Sequence, residues 1–216
     1  MRLFLAVAAF LALLGPASAQ YYGRTVDVPQ LMMPGPLGDK GLGDPNAPVT
    51  VIEYASMTCP HCAAWAKDVY PQLNKDYIET GKAKLVFREF PLDGAARMAS
   101  AVARCFSGDQ YFSFIDLLFA NQMNWIKDYD GNGTMTREDI VEGLAQMARQ
   151  AGMPREKVTM CAEDEKNLAL VDGNWQEGQT RYNVGSTPTF IINGTTYAGG
   201  MSYEQLKEII DPLAGG

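Results

Sequence analysis

The sequence predicts an α/β chain in which two strands and a terminal hairpin frame a long helical block, and three observations carry that prediction. The run Val49-Thr50-Val51-Ile52-Glu53-Tyr54-Ala55 is β-branched and apolar on both faces, as a buried central strand requires. Over residues 95–182 apolar side chains recur at helical spacing: Met98, Val102 and Cys105, then Phe114, Leu117 and Leu118, then Ile140, Leu144 and Met147, then Leu168, Val171 and Trp175. Residues 188–199 form two short β-branched runs around Asn193-Gly194, the residue pair that closes a tight hairpin.

The remaining elements follow in order. A single positive charge and an apolar stretch lead through Gly15-Pro16 to Ala17-Ser18-Ala19, which reads as a secretory signal over 1–19. The chain is therefore expected to be exported, to a periplasm or an equivalent oxidising compartment. The segment 20–48 reads as flexible, because Gly and Pro crowd residues 33–48 and leave no regular element there. A domain over 49–213 follows. After the first strand a helix begins at Pro60 and continues through Trp65, Val69, Leu73 and Tyr77, kinked by Pro71 and ended by Gly81. A second strand spans 84–90, and a last helix opens on the capping box Ser202-x-x-Gln205.

Composition narrows the function. Of 216 residues, 47% are hydrophobic and 20% charged, the balance of a globular protein with a sizeable core. A formal net charge of −7 argues against a nucleic-acid partner. The four cysteines are Cys59, Cys62, Cys105 and Cys161, and His61 is the single histidine. A tetrahedral zinc site would need a second close pair, and a cysteine protease would need a base from across a cleft, so neither fits. Cys59-Pro60-His61-Cys62 instead stands where a buried strand meets a helix N-terminus. Amides of the first turn and the positive end of the helix dipole favour a thiolate at Cys59, which makes that sulfur a good leaving group and its disulfide easily reduced. His61 adds a donor or a positive charge in the same turn. A disulfide passed to a substrate thiol through Cys59, with Cys62 resolving, is the chemistry this arrangement supports.

Glu53 six residues before Cys59, the Cys-Pro-His-Cys turn, a helical block between the strands and Ser186-Thr187-Pro188-Thr189-Phe190 before the hairpin together resemble the DsbA-like thiol:disulfide oxidoreductases of the thioredoxin superfamily. The resemblance implies a thioredoxin fold with an inserted all-helical subdomain at about 95–182. It also implies a cis Pro188 facing the sulfurs, a Thr187 backbone that pairs with substrate, an acidic Cys59 and an oxidising disulfide. Reduced, unfolded secreted proteins are the implied substrates, a membrane quinone-linked DsbB-like protein the implied reoxidant, and no cofactor is required. A reductase or isomerase of the same fold stays open, since Thr187 before the proline also occurs in isomerase relatives.

Three features remain. Glu53 on a two-sided apolar strand is expected to be buried near Cys62, as acceptor for the proton that cysteine must lose; the alternative is a strand-end glutamate with its head in water. Cys105 and Cys161 are expected to form a structural disulfide, closing a loop for about 4 kcal/mol of stability; two separate buried thiols are the alternative. Residues 128–139 carry an EF-hand-like ligand pattern of Asp128, Asp130, Asn132, Thr134, Thr136 and Asp139 around Gly133, with Asp139 where a glutamate is usual. Calcium binding is one expectation from it, with a non-enzymatic calcium-binding protein as its extreme form. The other is a polar turn in which Thr136 caps the next helix and Asp139 serves as the capping-box acid.

Overall fold

The computed structural model describes residues 26–129, 131 and 133–215. The predicted signal over 1–19, residues 20–25, Asp130 and Asn132 lie outside the described residues. In chain order the elements are α1 (Val28–Leu31), β1 (Lys40–Leu42), β2 (Val49–Ala55), α2 (Pro60–Asp68), α3 (Tyr70–Leu73) running into a π-helical turn (Asn74–Ile78), and β3 (Ala83–Glu89). Then come α4 (Gly94–Arg104), α5 (Asp109–Ala120), α6 (Gln122–Trp125), α7 (Arg137–Gln150), α8 (Arg155–Glu163) and α9 (Glu165–Tyr182). The chain closes with β4 (Thr189–Ile192), β5 (Thr195–Ala198) and α10 (Tyr203–Leu213).

The strands form one sheet in the order β1-β3-β2-β4-β5. β2 and β3 are parallel, and every other neighbouring pair is antiparallel. A parallel pair needs a crossover, which α2 and α3 supply. All seven residues of β2 are buried, because both sheet faces are covered. Val49 and Val51 pack with Trp65, Leu73, Leu206 and Ile210 on one face. Ile52 and Tyr54 pack with Phe90, Tyr182 and Ile191 on the other.

The helices α4 to α9 build their own core around Val102, Phe114, Leu118, Trp125, Leu144 and Val158. That core also takes in Met57, Cys59, Cys62 and Phe87, so the helical block forms one wall of the cysteine turn. Trp125 is fully buried and its indole N–H donates to the Leu118 carbonyl at 2.9 Å. α7 comes so close beneath it that a Cβ on Gly143 would lie 2.2 Å from the Trp125 carbonyl oxygen, so glycine is required there. A Cys105–Cys161 disulfide with an S–S length of 2.05 Å joins the end of α4 to α8. The hairpin turns at Asn193 and Gly194, both at positive φ.

Two expectations need correction. The segment 20–48 contains α1 and an edge strand, β1, although its composition promised no regular element in residues 33–48. Tertiary partners override the local signal. The guanidinium of Arg88, 1% exposed, donates to the carbonyls of Leu31 at 2.8 Å and Met33 at 3.1 Å and pairs with Asp39 at 2.9 Å. Arg104 donates to the Gly38 carbonyl at 2.7 Å, and β1 then pairs with β3. The helix drawn from Pro60 through Tyr77 is interrupted at Val69, and Pro71, lacking an N–H, opens α3 instead of bending a continuous helix.

Candidate active site

Cys59 is the N-cap of α2, with Pro60 in the first turn, immediately after the loop that leaves β2. Both cysteines are present as buried thiols, 4% and 0% exposed. Several bonds fix the loop that presents them. The Cys59 amide donates to the Ser56 carbonyl at 3.0 Å, and the Thr58 hydroxyl donates to Asp93 at 2.7 Å. From the helical block, the Gln122 side-chain amide donates to the carbonyls of Met57 at 2.8 Å and Cys59 at 2.9 Å.

The two sulfurs are electrostatically unequal. A hydrogen bond from the Cys62 thiol lowers the Cys59 pKa from 9.0 to about 5 against the opposing effect of burial, and the Thr187 side chain and the amides of Cys62 and His61 assist. The same hydrogen bond pushes Cys62 upward, together with burial and the negative charge of Glu53. Cys59 therefore carries the thiolate and Cys62 the proton. In the dithiol form the Cys59 thiol donates to the Thr187 carbonyl at 3.3 Å.

The Thr187–Pro188 bond is cis. Thr189 anchors this loop by donating its hydroxyl to the Ser186 carbonyl at 2.7 Å, and the Gly199 amide ties the Pro188 carbonyl to the hairpin at 2.8 Å. Thr187 is buried, its carbonyl accepts from the Cys59 thiol, and its side chain lies close enough to lower the Cys59 pKa.

Glu53 lies in the middle of β2, 3% exposed, with Phe87 and Phe190 as its cross-strand neighbours. Its Oε1 has no hydrogen-bond partner among the described residues. Burial first, then the charges of Asp116 and Cys59, raise its pKa from 4.5 to about 8. That is a carboxyl poised to exchange a proton near neutral pH. His61 adjoins Cys59 through its backbone amide, while its ring is exposed.

The structure brings Cys59, Cys62, Glu53, Thr187 and Pro188 to one place, with His61 in the turn between the two cysteines, and among the described residues the cysteine pair of the helical block and the 128–139 loop lie apart from it. Cys105 and Cys161 are bonded to each other within the helical block. In the 128–139 loop Asp139 is fully engaged: Oδ1 accepts the Tyr129 amide at 3.0 Å and Oδ2 the Thr136 amide at 2.8 Å, completing a capping box with Thr136. Asp128 accepts the amides of Gly131 at 2.8 Å and Gly133 at 2.5 Å. Among the described residues no group of three or more His, Cys, Asp and Glu side chains is arranged to hold a metal ion. Sequence reasoning did not single out Gln122, Asp93 or Asp116, which reach the site from elements far along the chain and carry no local motif.

The sequence matches the thioredoxin family over residues 38–212. The crystal structure of Wolbachia pipientis alpha-DsbA1 has a TM-score of 0.76 and 28% identity to this chain, covering 88% of it and 96% of that protein. Oxidised BdbD of Bacillus subtilis shares the fold, with a TM-score of 0.69 at 22% identity over 91% of this chain and 99% of that one. Disulfide bond formation protein D of Bacillus subtilis is 25% identical over 81% of this chain and 76% of that protein. A Rickettsia prowazekii relative, provisionally named a protein-disulfide oxidoreductase, is 30% identical over 72% of this chain. The chain spans 54% to 59% of the length of the Rickettsia relatives it matches. With a five-stranded sheet, a cysteine pair at the start of α2 and a cis-proline loop facing it, the chain belongs to the thioredoxin family, and its solved neighbours include DsbA proteins.

Proposed function

We propose that this protein is a thiol:disulfide oxidoreductase that introduces disulfide bonds into exported proteins. The inequality of the two sulfurs carries the reading: Cys59 titrates at about 5 while Cys62 is pushed up, so the reduced pair rests as one thiolate and one thiol. A stabilised thiolate favours the reduced form, which makes the disulfide an oxidant.

The exchange runs as follows. A substrate thiolate attacks Cys59 Sγ, the Cys59–Cys62 bond breaks, and Cys62 leaves with the electron pair and takes a proton from protonated Glu53. A second substrate thiolate attacks the substrate sulfur of the mixed disulfide and expels the Cys59 thiolate. The substrate gains one disulfide and the protein becomes a dithiol. Reoxidation reverses the roles: Cys59 attacks the disulfide of a DsbB-type partner, and Cys62 gives its proton to Glu53 and closes the ring. Thr187 offers its backbone to an extended substrate segment beside Cys59, and the Cys105–Cys161 bond serves the helical block structurally. Among the described residues no helix is long and apolar enough to cross a membrane. Export to the periplasm or an equivalent space accords with the signal-like residues 1–19 and with this chemistry.

The deciding measurement is the reduction potential of the Cys59–Cys62 pair against glutathione. An oxidase gives a value in the range of about −180 to about −120 mV, whereas a value near about −270 mV would assign a reductase. Cys62→Ser should trap substrates as mixed disulfides through Cys59; trapping that survives Cys59→Ala would overturn the assignment of the attacking sulfur. The 128–139 loop acts in this reading as a capped turn, with Asp139 held by backbone amides and by Thr136.

A further inference from the structure

Glu53 is sealed from solvent, yet in each cycle it must give up or regain a proton, and nothing in its sheet provides a route. Its cross-strand neighbours are phenylalanines, Phe87 and Phe190. Both lead to the same place. Phe87 meets Phe119 of α5 at 6.4 Å between ring centroids, and Phe190 meets Trp65 at 4.7 Å, which in turn meets Tyr70 at 6.2 Å. Phe119 and Tyr70 line a cavity of about 750 Å³ between α2–α3 and α5, together with Ala63, Ala66, Lys67 and Asp116. Asp116 is exposed at this cavity, while Glu53 lies behind its wall with Oε1 unpartnered among the described residues.

We propose that Asp116 is the solvent-side partner of Glu53, receiving through the water of this cavity the proton that Cys62 surrenders and releasing it to bulk. The inference rests on the function proposed above and assigns that reaction its proton exit. During reoxidation the Cys62 thiol gives its proton to the Glu53 carboxylate and the Cys62 thiolate attacks the Cys59 sulfur of the mixed disulfide with the partner. The Cys59–Cys62 bond forms, the bond from Cys59 to the partner breaks, and the partner sulfur leaves with the electron pair. The proton then passes from Glu53 to Asp116 and out, and in the oxidising direction it returns by the same path.

Among the described residues, the titratable groups in electrostatic contact with Glu53 are Cys59 and Cys62 at the start of α2, Tyr70 on α3 and Asp116 on α5, and its cross-strand neighbours on β3 and β4 are the two phenylalanines. Of these, Asp116 alone combines exposure to solvent with a carboxylate that accepts a proton. Its charge acts on both Glu53 and Tyr70, so it lies within electrostatic reach of each. Lys67 on the same cavity is exposed and cationic, and holds no proton acceptor. Asp116 touches no reacting sulfur and is therefore a positioning residue for the proton, acting through Glu53.

The test is the pH dependence of the Cys62-dependent resolution of a preformed mixed disulfide, followed by stopped-flow fluorescence, with an NMR titration of the Glu53 carboxyl carbon in the same proteins. Asp116→Asn removes a like charge and the outlet together. The Glu53 midpoint should move down by about half to one pH unit, and the resolution rate near neutral pH should fall about three- to tenfold, with Asp116→Glu restoring both. Adding Asp116→Asn to Glu53→Gln should change nothing further. An Asp116→Asn protein whose rate profile and Glu53 titration superimpose on those of the unaltered chain overturns the relay alone, as do additive effects in the double variant. An unaltered chain that forms no mixed disulfide through Cys59 overturns the proposed function and the relay with it. Asp116 is exposed, so the variant is expected to fold, and circular dichroism verifies that it has.

Discussion

Two glutamates lie buried on neighbouring parallel strands and meet opposite fates. Glu89, at the end of β3 and 0% exposed, is gripped on both oxygens: Arg104 binds it bidentately, with Nη2 to Oε2 at 2.5 Å, and the Tyr111 hydroxyl donates to Oε1 at 2.5 Å. Its backbone carbonyl accepts the Asn174 side-chain amide at 3.0 Å. Glu53, in the middle of β2, has only aromatic neighbours along the sheet and an oxygen without a partner among the described residues. A fully compensated buried charge serves architecture, and here it ties β3 to α4, α5 and the chain around Gly38. A buried carboxyl without such partners is instead kept neutral up to about pH 8, which costs stability above about pH 4.5.

The comparison breaks first at Glu89. Removing its carboxylate in Glu89→Ala strands the Arg104 guanidinium and should cost about 3–5 kcal/mol in urea unfolding, with the Cys59 titration unmoved. A loss below about 1 kcal/mol would mean the cluster is not the clamp it resembles. At Glu53 the sign reverses. Its native pKa of about 8 lies above the unfolded value of 4.5, so the native state holds the extra proton between those limits and stability falls as pH rises from about 4.5 to about 8. Glu53→Gln should therefore gain roughly 2–3 kcal/mol at pH 7 and almost nothing at pH 4, while slowing disulfide exchange. Equal stability gains at both pH values would refute the raised Glu53 pKa.

Smaller effects sharpen the picture. The Cys59 pKa is depressed from 9.0 to about 5, so its contribution to the reduced protein is complete above about pH 9 and is lost as pH falls through about 5. At pH 7 it should make the reduced form more stable than the oxidised one by about 1–2 kcal/mol after solvent screening, read as a higher thermal midpoint. An oxidised form that melts higher would point to a stapling disulfide. Smallest is the cap of α7: Thr136→Ala should cost about 1 kcal/mol, and millimolar calcium should leave the melting temperature unchanged. A calcium-dependent rise that Asp128→Ala abolishes would restore the loop to metal binding.

Much of the architecture was legible because it is written in local patterns. The two-sided apolar run of β2, the Asn193-Gly194 turn and the Ser202 capping box each lie within a dozen residues of sequence. The Cys-Pro-His-Cys turn was legible for the same reason, since a proline and a helix start suffice to distinguish its two sulfurs. The N-terminal segment was misread because nothing local orders it. Arg88 and Arg104, 57 and 66 residues further along, supply the hydrogen bonds that its Gly-rich and Pro-rich backbone cannot make for itself. Gln122 and Asp116 carried no signal, because a glutamine or aspartate on an amphipathic helix reads as solvated surface until the fold turns it toward a loop or a cavity.

By itself the sequence determined the α/β class, the succession of elements from β2 onward, the sulfur pair and the asymmetry between its members, since each depends on propensity, periodicity or a turn's own geometry. Only the tertiary structure decided that Glu53 is held without a partner while Glu89 is gripped, that Thr187 lies 3.3 Å from Cys59, and that α5 sets a carboxylate at the cavity beside the active-site helix. Charge burial and long-range contact are properties of a packed interior, where the dielectric and the partners are set by residues a hundred positions apart, and no stretch of chain specifies them before the rest has folded around it.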